Sequence, residues 1–215
     1  MIEISSIEKV YEHISGLKVI LFDLDDTLYG EKEYVRSGYK KVAKLFPAYV
    51  NMEEELWVAF EKKQPAFDYV LRKFGVYSET AKTRCIEVYR NQTPDIHLYD
   101  GVEMMLVHLK KLGYKLGLIT DGRVEGQNAK IRALCLHKYF DKIIVTDVLG
   151  GISYRKPCDR AFVIMKEYFN VEYNDICYIG DNIAKDFIAP EKLGIKSIWF
   201  KNKDGLYYQN NANKK

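Results

Sequence analysis

Apolar positions along the chain fall into two rhythms. The first is the short, nearly continuous run: LKVILFD (17–23), YKLGLIT (114–120), DKIIVTD (141–147), DICYIGD (175–181) and IKSIWF (195–200). Runs of this length without polar alternation predict parallel strands buried on both faces. The second rhythm is helical spacing. In VEMMLVHLKKL (102–112), Val102, Met105, Leu106 and Leu109 share a face, with Asp100-Gly101 before them and Gly113 as a stop. EGQNAKIRALCLHKYF (125–140), KPCDRAFVIMKEYF (156–169) and AKDFIAPEKLG (184–194) read the same way. Pro157 is expected in a first helical turn and Pro190 as a disturbance. Ahead of the first strand, Ser5 and Glu8 make a capping-box pattern followed by Val10 and Ile14, which predicts a short helix.

Strands and helices therefore alternate from residue 100 onward, the pattern of an α/β fold with a doubly wound parallel, Rossmann-like sheet. Its ligand site is expected beyond the carboxyl ends of the strands, at a topological switch point. Residues 30–99 interrupt the alternation with four helical segments, YVRSGYKKVAKLF, MEEELWVAFEKK, AFDYVLRKFG and SETAKTRCIEVYRN, punctuated by Pro47, Pro65, Gly75 and Pro94. They read as an all-helical domain inserted into a core of residues 1–29 and 100–215. The closing NNANKK is expected to fray.

Composition narrows the function classes. With 47% hydrophobic and 29% charged residues in 215, the chain has the means for a real core, and disorder is excluded. The 33 basic and 30 acidic residues are dispersed, so a net charge of +3 gives no basis for nucleic-acid binding. Lys40-Lys41 and Lys110-Lys111 read as solvated helix faces. Cys85, Cys135, Cys158 and Cys177 show neither CxxC nor metal spacing and are expected to be reduced thiols. The first apolar run, about five residues preceded by Glu8, Lys9, Glu12 and His13, is neither a signal peptide nor a membrane span. A cytoplasmic protein with no membrane partner, monomeric or a weak homodimer, is the expectation.

The candidate chemistry lies in VILFDLDDTLY (19–29), where an apolar strand ends in Asp23, Asp25 and Asp26, followed by Thr27. Packed acids repel unless a cation lies between them or protonation is tuned; magnesium, a hard ion that takes oxygen ligands, would resolve the conflict. Other strand ends supply complementary groups. Thr120 closes the second run, and Asp121-Gly122 offers a turn of backbone N–H groups. Lys156 precedes a helix, and Asp181 and Asp186 follow the fourth run. Singly, Thr120 reads as a helix N-cap, Lys156 as a solvated lysine and Asp181 as a turn residue; at strand ends in one order they read as a site.

The motifs Asp23-Leu24-Asp25-Asp26-Thr27, Thr120, Lys156 and Gly180-Asp181 to Asp186 resemble, in order and over residues 17 to 200, those of the haloacid dehalogenase-like hydrolases. The likeness is to the phosphatase branch with a helical cap after the first motif. The resemblance implies phosphoester hydrolysis, with Asp23 as nucleophile and Asp25 as proton carrier. It implies a magnesium site from Asp23, the Asp25 carbonyl and Asp181, with Asp186 behind them. Thr120, the N–H groups of Asp121, Gly122 and Arg123, and Lys156 would hold the phosphoryl group. Arg123 stands equally as a leaving-group contact or a surface arginine.

Asp26 occupies a place where many relatives have glycine and reads as a turn or surface acid. Thr27 is expected to orient Asp25 through a hydroxyl-to-backbone bond. Asp121 replaces a commoner asparagine. Asp25 argues against dehalogenases and phosphonate hydrolases, which lack that second acid. A receiver-type signalling domain is shorter and lacks an insertion. A phosphomutase would keep both acids and stays open; a non-catalytic regulator would be expected to have lost one of the named residues. A closed, capped site suits small phosphomonoesters, such as sugar or nucleoside monophosphates. Arg36, Tyr39, Arg72 and Arg84 are the insertion's candidates for selecting the leaving group, whereas Trp57, Phe60 and Phe67 fit its core.

Overall fold

The computed structural model describes residues 1–208; the NNANKK segment lies outside them. Six parallel strands form one sheet: β1 (Ile2–Ile4), β2 (Val19–Phe22), β3 (Lys115–Thr120), β4 (Lys142–Val145), β5 (Ile176–Gly180) and β6 (Lys196–Phe200). Their order is β1-β6-β5-β2-β3-β4. The five apolar runs are thus strands, as their lack of alternation predicts. Val19 to Phe22 of β2 are wholly buried. Each fully buried side chain of this size contributes about 1.5–3 kcal/mol.

From β2 the chain builds outward through β3 and β4, then crosses to the other flank of β2 for β5 and β6. The switch point therefore lies where β2 is flanked by β3 and β5. Phe22 is in register with Leu118 of β3 and Ile179 of β5, so the residues that follow these strands emerge side by side.

Helices α5 (Val102–Lys111) and α7 (Arg160–Phe169) pack against β3, and α6 (Val124–Ala133) against β4. Val19 and Leu21 share a core with Ala161, Phe162 and Met165 of α7 and with Tyr178 of β5. The ring of Phe22 meets Phe140 edge-on, with centroids 6.0 Å apart.

Several local expectations are corrected. A short strand, β1, precedes everything else. The segment Ile7–His13 is a 3-10 helix whose N-cap, Ser6, makes no side-chain capping bond, so the Ser5/Glu8 capping box does not form. Pro157 lies outside α7, which starts at Arg160. The last helix, α8 (Ile188–Leu193), is one short turn and a half with Pro190 in its first turn, where a missing N–H costs nothing.

The chain divides into two compact units, residues 32–96 and the remainder. Within the helical unit lie α2 (Met52–Glu61), α3 (Ala66–Lys73), α4 (Glu79–Arg90) and all but the first residue of α1 (Glu31–Ala43). Val35, Tyr39, Val42, Met52, Leu56, Val70, Leu71 and Cys85 form its own core. Two of the arginines singled out in this unit have partners inside it: Arg36 pairs with Glu53 and Glu54, and the Arg72 guanidinium lies 3.8 Å over the Tyr77 ring. Tyr39 is buried among Phe60, Phe67 and Tyr89.

Candidate active site

Asp23 follows β2 and still belongs to the ladder through its backbone N–H, which donates to the Ile179 carbonyl at 2.8 Å. The chain then turns: the N–H groups of Thr27 and Leu28 both donate to the Leu24 carbonyl. Leu24, Leu28 and Tyr29 are completely buried and anchor this acidic loop from below. An apolar strand can therefore end in acids because the apolar residues between and after them keep the loop on the core.

Lys156 reaches the same place from the loop before α7. Its ammonium, buried, donates to Asp23 Oδ1 at 2.6 Å and to the Tyr178 hydroxyl at 2.8 Å, and pairs with Asp186 Oδ1 at 2.9 Å. Three donors thus meet three acceptors. Asp186 approaches over Gly180, where a Cβ would lie 2.5 Å from Asp186 Oδ2, so this close approach requires glycine. Its other anchor is the Asn182 N–H, at 3.0 Å.

Carboxylate oxygens of Asp23, Asp181 and Asp186 lie within 4.8 Å of one another, all three residues buried. Burial, with Asp186 nearby, outweighs the pull of Lys156 and pushes the Asp23 carboxyl up to about 7. Burial followed by Asp186 and Asp23 holds Asp181 well above the usual carboxylate range. Burial alone would lower Lys156, but Asp186 and Asp23 hold it well above its ordinary value. Three crowded carboxylates against one ammonium make a hard-oxygen donor set with excess negative charge, which fits a divalent cation such as magnesium.

Asp25 sits in a different environment. Lys130 Nζ donates to its Oδ1 at 2.6 Å, the Tyr29 hydroxyl donates to the same oxygen, and Gln127 Nε2 donates to Oδ2 at 2.8 Å. Burial would raise its carboxyl, but the Lys130 charge and these bonds win and lower it. The same nitrogen lies against Thr120 Oγ1 and the Asp121 carbonyl, its two hydrogens shared among three acceptors. Thr120 itself is fully buried at the end of β3.

Asp121 ties loops together. It accepts from the Thr146 hydroxyl and the Lys156 N–H, each at 3.0 Å, and from Lys185 Nζ at 2.8 Å. Burial would raise this carboxyl; Lys156 and Lys185 overcome that and lower it. Gly122 has φ +137, a backbone that side chains rarely adopt. Arg123 is half-exposed and lies 3.6 Å from Glu125.

Of the turn and surface readings of Asp26, the turn holds and the surface does not: it is 1% exposed, at φ 55, and its two carboxylate oxygens accept the Glu31 and Leu206 N–H groups. The Thr27 expectation fails. The Thr27 hydroxyl oxygen is buried without a hydrogen-bond partner, so the bond expected to orient Asp25 is absent. Tyr29, Gln127 and Lys130 grip Asp25 instead, and these three, with Tyr178 and Lys185, were not singled out from the sequence. A signal existed for two of them. Gln127 and Lys130 fall with Ile131 and Leu134 at positions i, i+3, i+4 and i+7 of the buried stripe of α6, where an amide and an ammonium are out of place unless partnered.

Comparison with known proteins bears on the family. A family profile described as haloacid dehalogenase-like hydrolase matches residues 20–200. Glyceraldehyde 3-phosphate phosphatase from Pyrococcus furiosus is 30% identical, over 86% of this chain and 81% of that protein. N-acylneuraminate-9-phosphatase from Homo sapiens is 24% identical, over 90% of this chain and 86% of its own. A crystal structure of a HAD-superfamily hydrolase from Geobacter sulfurreducens superposes with a TM-score of 0.64 at 18% identity, over 87% of this chain and 88% of the other. With motifs at the ends of β2, β3 and β5 and a profile spanning most of its length, the chain belongs to the haloacid dehalogenase-like hydrolases.

Proposed function

We propose that the protein is a magnesium-dependent phosphatase that hydrolyses small phosphomonoesters, such as sugar or nucleoside monophosphates, through an aspartyl-phosphate on Asp23. The family and its phosphatase relatives make it a phosphoric monoester hydrolase; the metal, the substrate class and the residue roles are the further reading. The observation that carries this reading is the contrast between the two acids. Asp23 faces the Lys156 ammonium amid crowded carboxylates, while Asp25, two residues on, is held by three donors.

In the first half-reaction Asp25 takes up a proton as the anionic phosphoryl group binds beside it, that negative charge opposing the donors that hold its carboxyl low. An Asp23 oxygen then attacks phosphorus, the bond from phosphorus to the leaving oxygen breaks, and that oxygen takes the proton from Asp25. In the second, water attacks phosphorus, its proton returns to Asp25, and the bond to Asp23 breaks to release phosphate. The Thr120 hydroxyl and the N–H groups after it are suited to bind phosphoryl oxygens, and Lys156, its three donors engaged by Asp23, Tyr178 and Asp186, offers them its charge, because catalysis of this transfer rests on positioning and charge neutralisation. Asp23, Asp181 and the Asp25 carbonyl would hold magnesium, with Asp186 anchoring Lys156 behind them; bound there, the ion neutralises phosphoryl charge. The relatives are named for glyceraldehyde 3-phosphate and N-acylneuraminate 9-phosphate, both phosphomonoesters of small hydroxylated compounds.

Acid-quench trapping of labelled enzyme tests the assignment. Asp23→Asn is expected to form no phosphoenzyme. Asp25→Asn, given an aryl ester whose leaving group needs no proton, is expected to form it and hydrolyse it slowly. Turnover by Asp23→Asn within about tenfold of wild type, under about 1.4 kcal/mol, overturns the covalent route.

A further inference from the structure

We infer that Gln127 and Lys130, one turn apart on α6, are positioning residues that set the proton carrier and the phosphate-binding hydroxyl together: Lys130 and Gln127 hold Asp25, and Gln127 turns the Thr120 hydroxyl toward the phosphoryl group. This rests on the roles proposed above for Asp25 and Thr120.

The polarity of the network carries the inference. Gln127 faces two groups that only accept, the Asp121 carbonyl at 2.9 Å and the Asp25 carboxylate at 2.8 Å, which fixes the amide with its NH2 end toward the site. The amide has only two hydrogens, so Thr120 Oγ1, against the same nitrogen, shares one of them with these acceptors. An amide nitrogen does not accept, so the Thr120 hydroxyl hydrogen is not held by Gln127 and is there to give. Phosphoryl oxygens only accept, so the hydroxyl is preset with the polarity they require.

For Asp25 the grip is two-sided. Lys130 and Tyr29 donate to Oδ1 and Gln127 to Oδ2, so rotation of the carboxylate about its Cβ–Cγ bond would break a bond on either side. Lys130 is 5% and Gln127 3% exposed, on a helix face that also carries Ile131. Burying an ammonium there is costly unless its partners need it in place. One helix thereby couples the end of β3 to the loop after β2, across 102 and 105 residues of sequence.

The test uses the full chain with magnesium and compares Lys130→Met, Lys130→Arg and Gln127→Leu with wild type and Asp25→Asn on two esters. One is an alkyl phosphate whose leaving oxygen needs a proton; the other is nitrophenyl phosphate, which does not. Lys130→Met is expected to lose about 100-fold in kcat on the alkyl ester and about tenfold on the nitrophenyl ester, with KM nearly unchanged. It should accumulate acid-stable phosphoenzyme, as Asp25→Asn does, and Lys130→Arg should recover most of the loss. Gln127→Leu is expected to lower kcat similarly and, through Thr120, to weaken competitive inhibition by inorganic phosphate several-fold. Equal losses on both esters without phosphoenzyme, or wild-type kinetics, overturn the inference while leaving the proposed mechanism intact. If Asp25→Asn itself shows no leaving-group discrimination, the mechanism fails first and the inference with it. Should Lys130→Met not fold, the comparison is made between Lys130→Arg and Gln127→Leu, and absence of leaving-group discrimination in both is equally decisive against it.

Discussion

Lys156 Nζ and Asp23 Oδ1, both buried, lie 2.6 Å apart, bringing a loop before α7 onto the end of β2 across 133 residues of sequence. The same ammonium pairs with Asp186, so a single lysine offsets two buried carboxylates. Lys156→Met should leave both without their cation, a loss of about 3–5 kcal/mol in unfolding free energy for a broken buried pair. Activity should fall with it. Urea denaturation of the variant checks the first part, and a loss below about 1 kcal/mol would show that the pair is not holding these elements together.

Magnesium should support both turnover and stability. Chelation with EDTA is expected to abolish hydrolysis of an aryl phosphate, and calcium to restore it poorly because its looser coordination disturbs the geometry of transfer. A second readout does not depend on catalysis. At a hundredfold excess over its dissociation constant, magnesium should stabilise the fold by about 2.7 kcal/mol, and this gain should be lost in Asp181→Asn. Undiminished turnover after chelation, or an equal thermal shift in the variant, would count against the site.

Asp121 carries a pH prediction. Its folded carboxyl is lowered from the ordinary 3.8, since Lys156 and Lys185 overcome the effect of burial. A depressed folded value means that the stabilisation is fully present above 3.8 and is lost as pH falls through the folded value. Asp121→Asn keeps one accepting oxygen but removes the charge facing Lys185, so it should cost about 1–3 kcal/mol at neutral pH. Unfolding measured from pH 7 downward should show a constant gap between variant and wild type until about pH 4, then a narrowing one. A gap that widens with acid would reverse the sign and exclude this account.

The sheet was legible because its strands are buried on both faces: the apolar runs containing β2 to β6 require no tertiary information to be recognised. β1 was not, since three residues at a sheet edge carry no periodicity. The strand-end groups Asp23, Thr120, Lys156 and Asp181 stood out for the same reason, each following an apolar run or opening a helix pattern. What surrounds them was hidden. Gln127 and Lys130 act on Asp25 only because α6 brings them there; their place on an otherwise apolar stripe marks them as partnered but does not say with what. Asp26 was legible as a turn residue but not as a buried one, because its partners Asn202 and Leu206 lie 176 and 180 residues away.

That buried turn leads to the last prediction. Asp26 is left-handed at φ 55, a conformation costing a side chain roughly 1–2 kcal/mol that glycine does not incur. Against this cost stand two bonds, from the Glu31 and Leu206 N–H groups to its two carboxylate oxygens, at 2.9 and 2.7 Å. Its carbonyl accepts from Asn202, which also donates to the Tyr99 hydroxyl. The charge-assisted bonds, each worth about 1.5–3 kcal/mol, outweigh the strain, so aspartate should be the most stable residue here. Asp26→Asn retains one acceptor of the two and should be intermediate. Asp26→Gly loses both but sheds the strain, and Asp26→Ala loses both and keeps it. The expected order of stability is therefore Asp, Asn, Gly, Ala, with Gly above Ala by about 1 kcal/mol. Thermal melts of the four proteins at neutral pH decide it: alanine equal to glycine would remove backbone strain from the account, and glycine equal to aspartate would mean that the bonds to Glu31 and Leu206 contribute nothing.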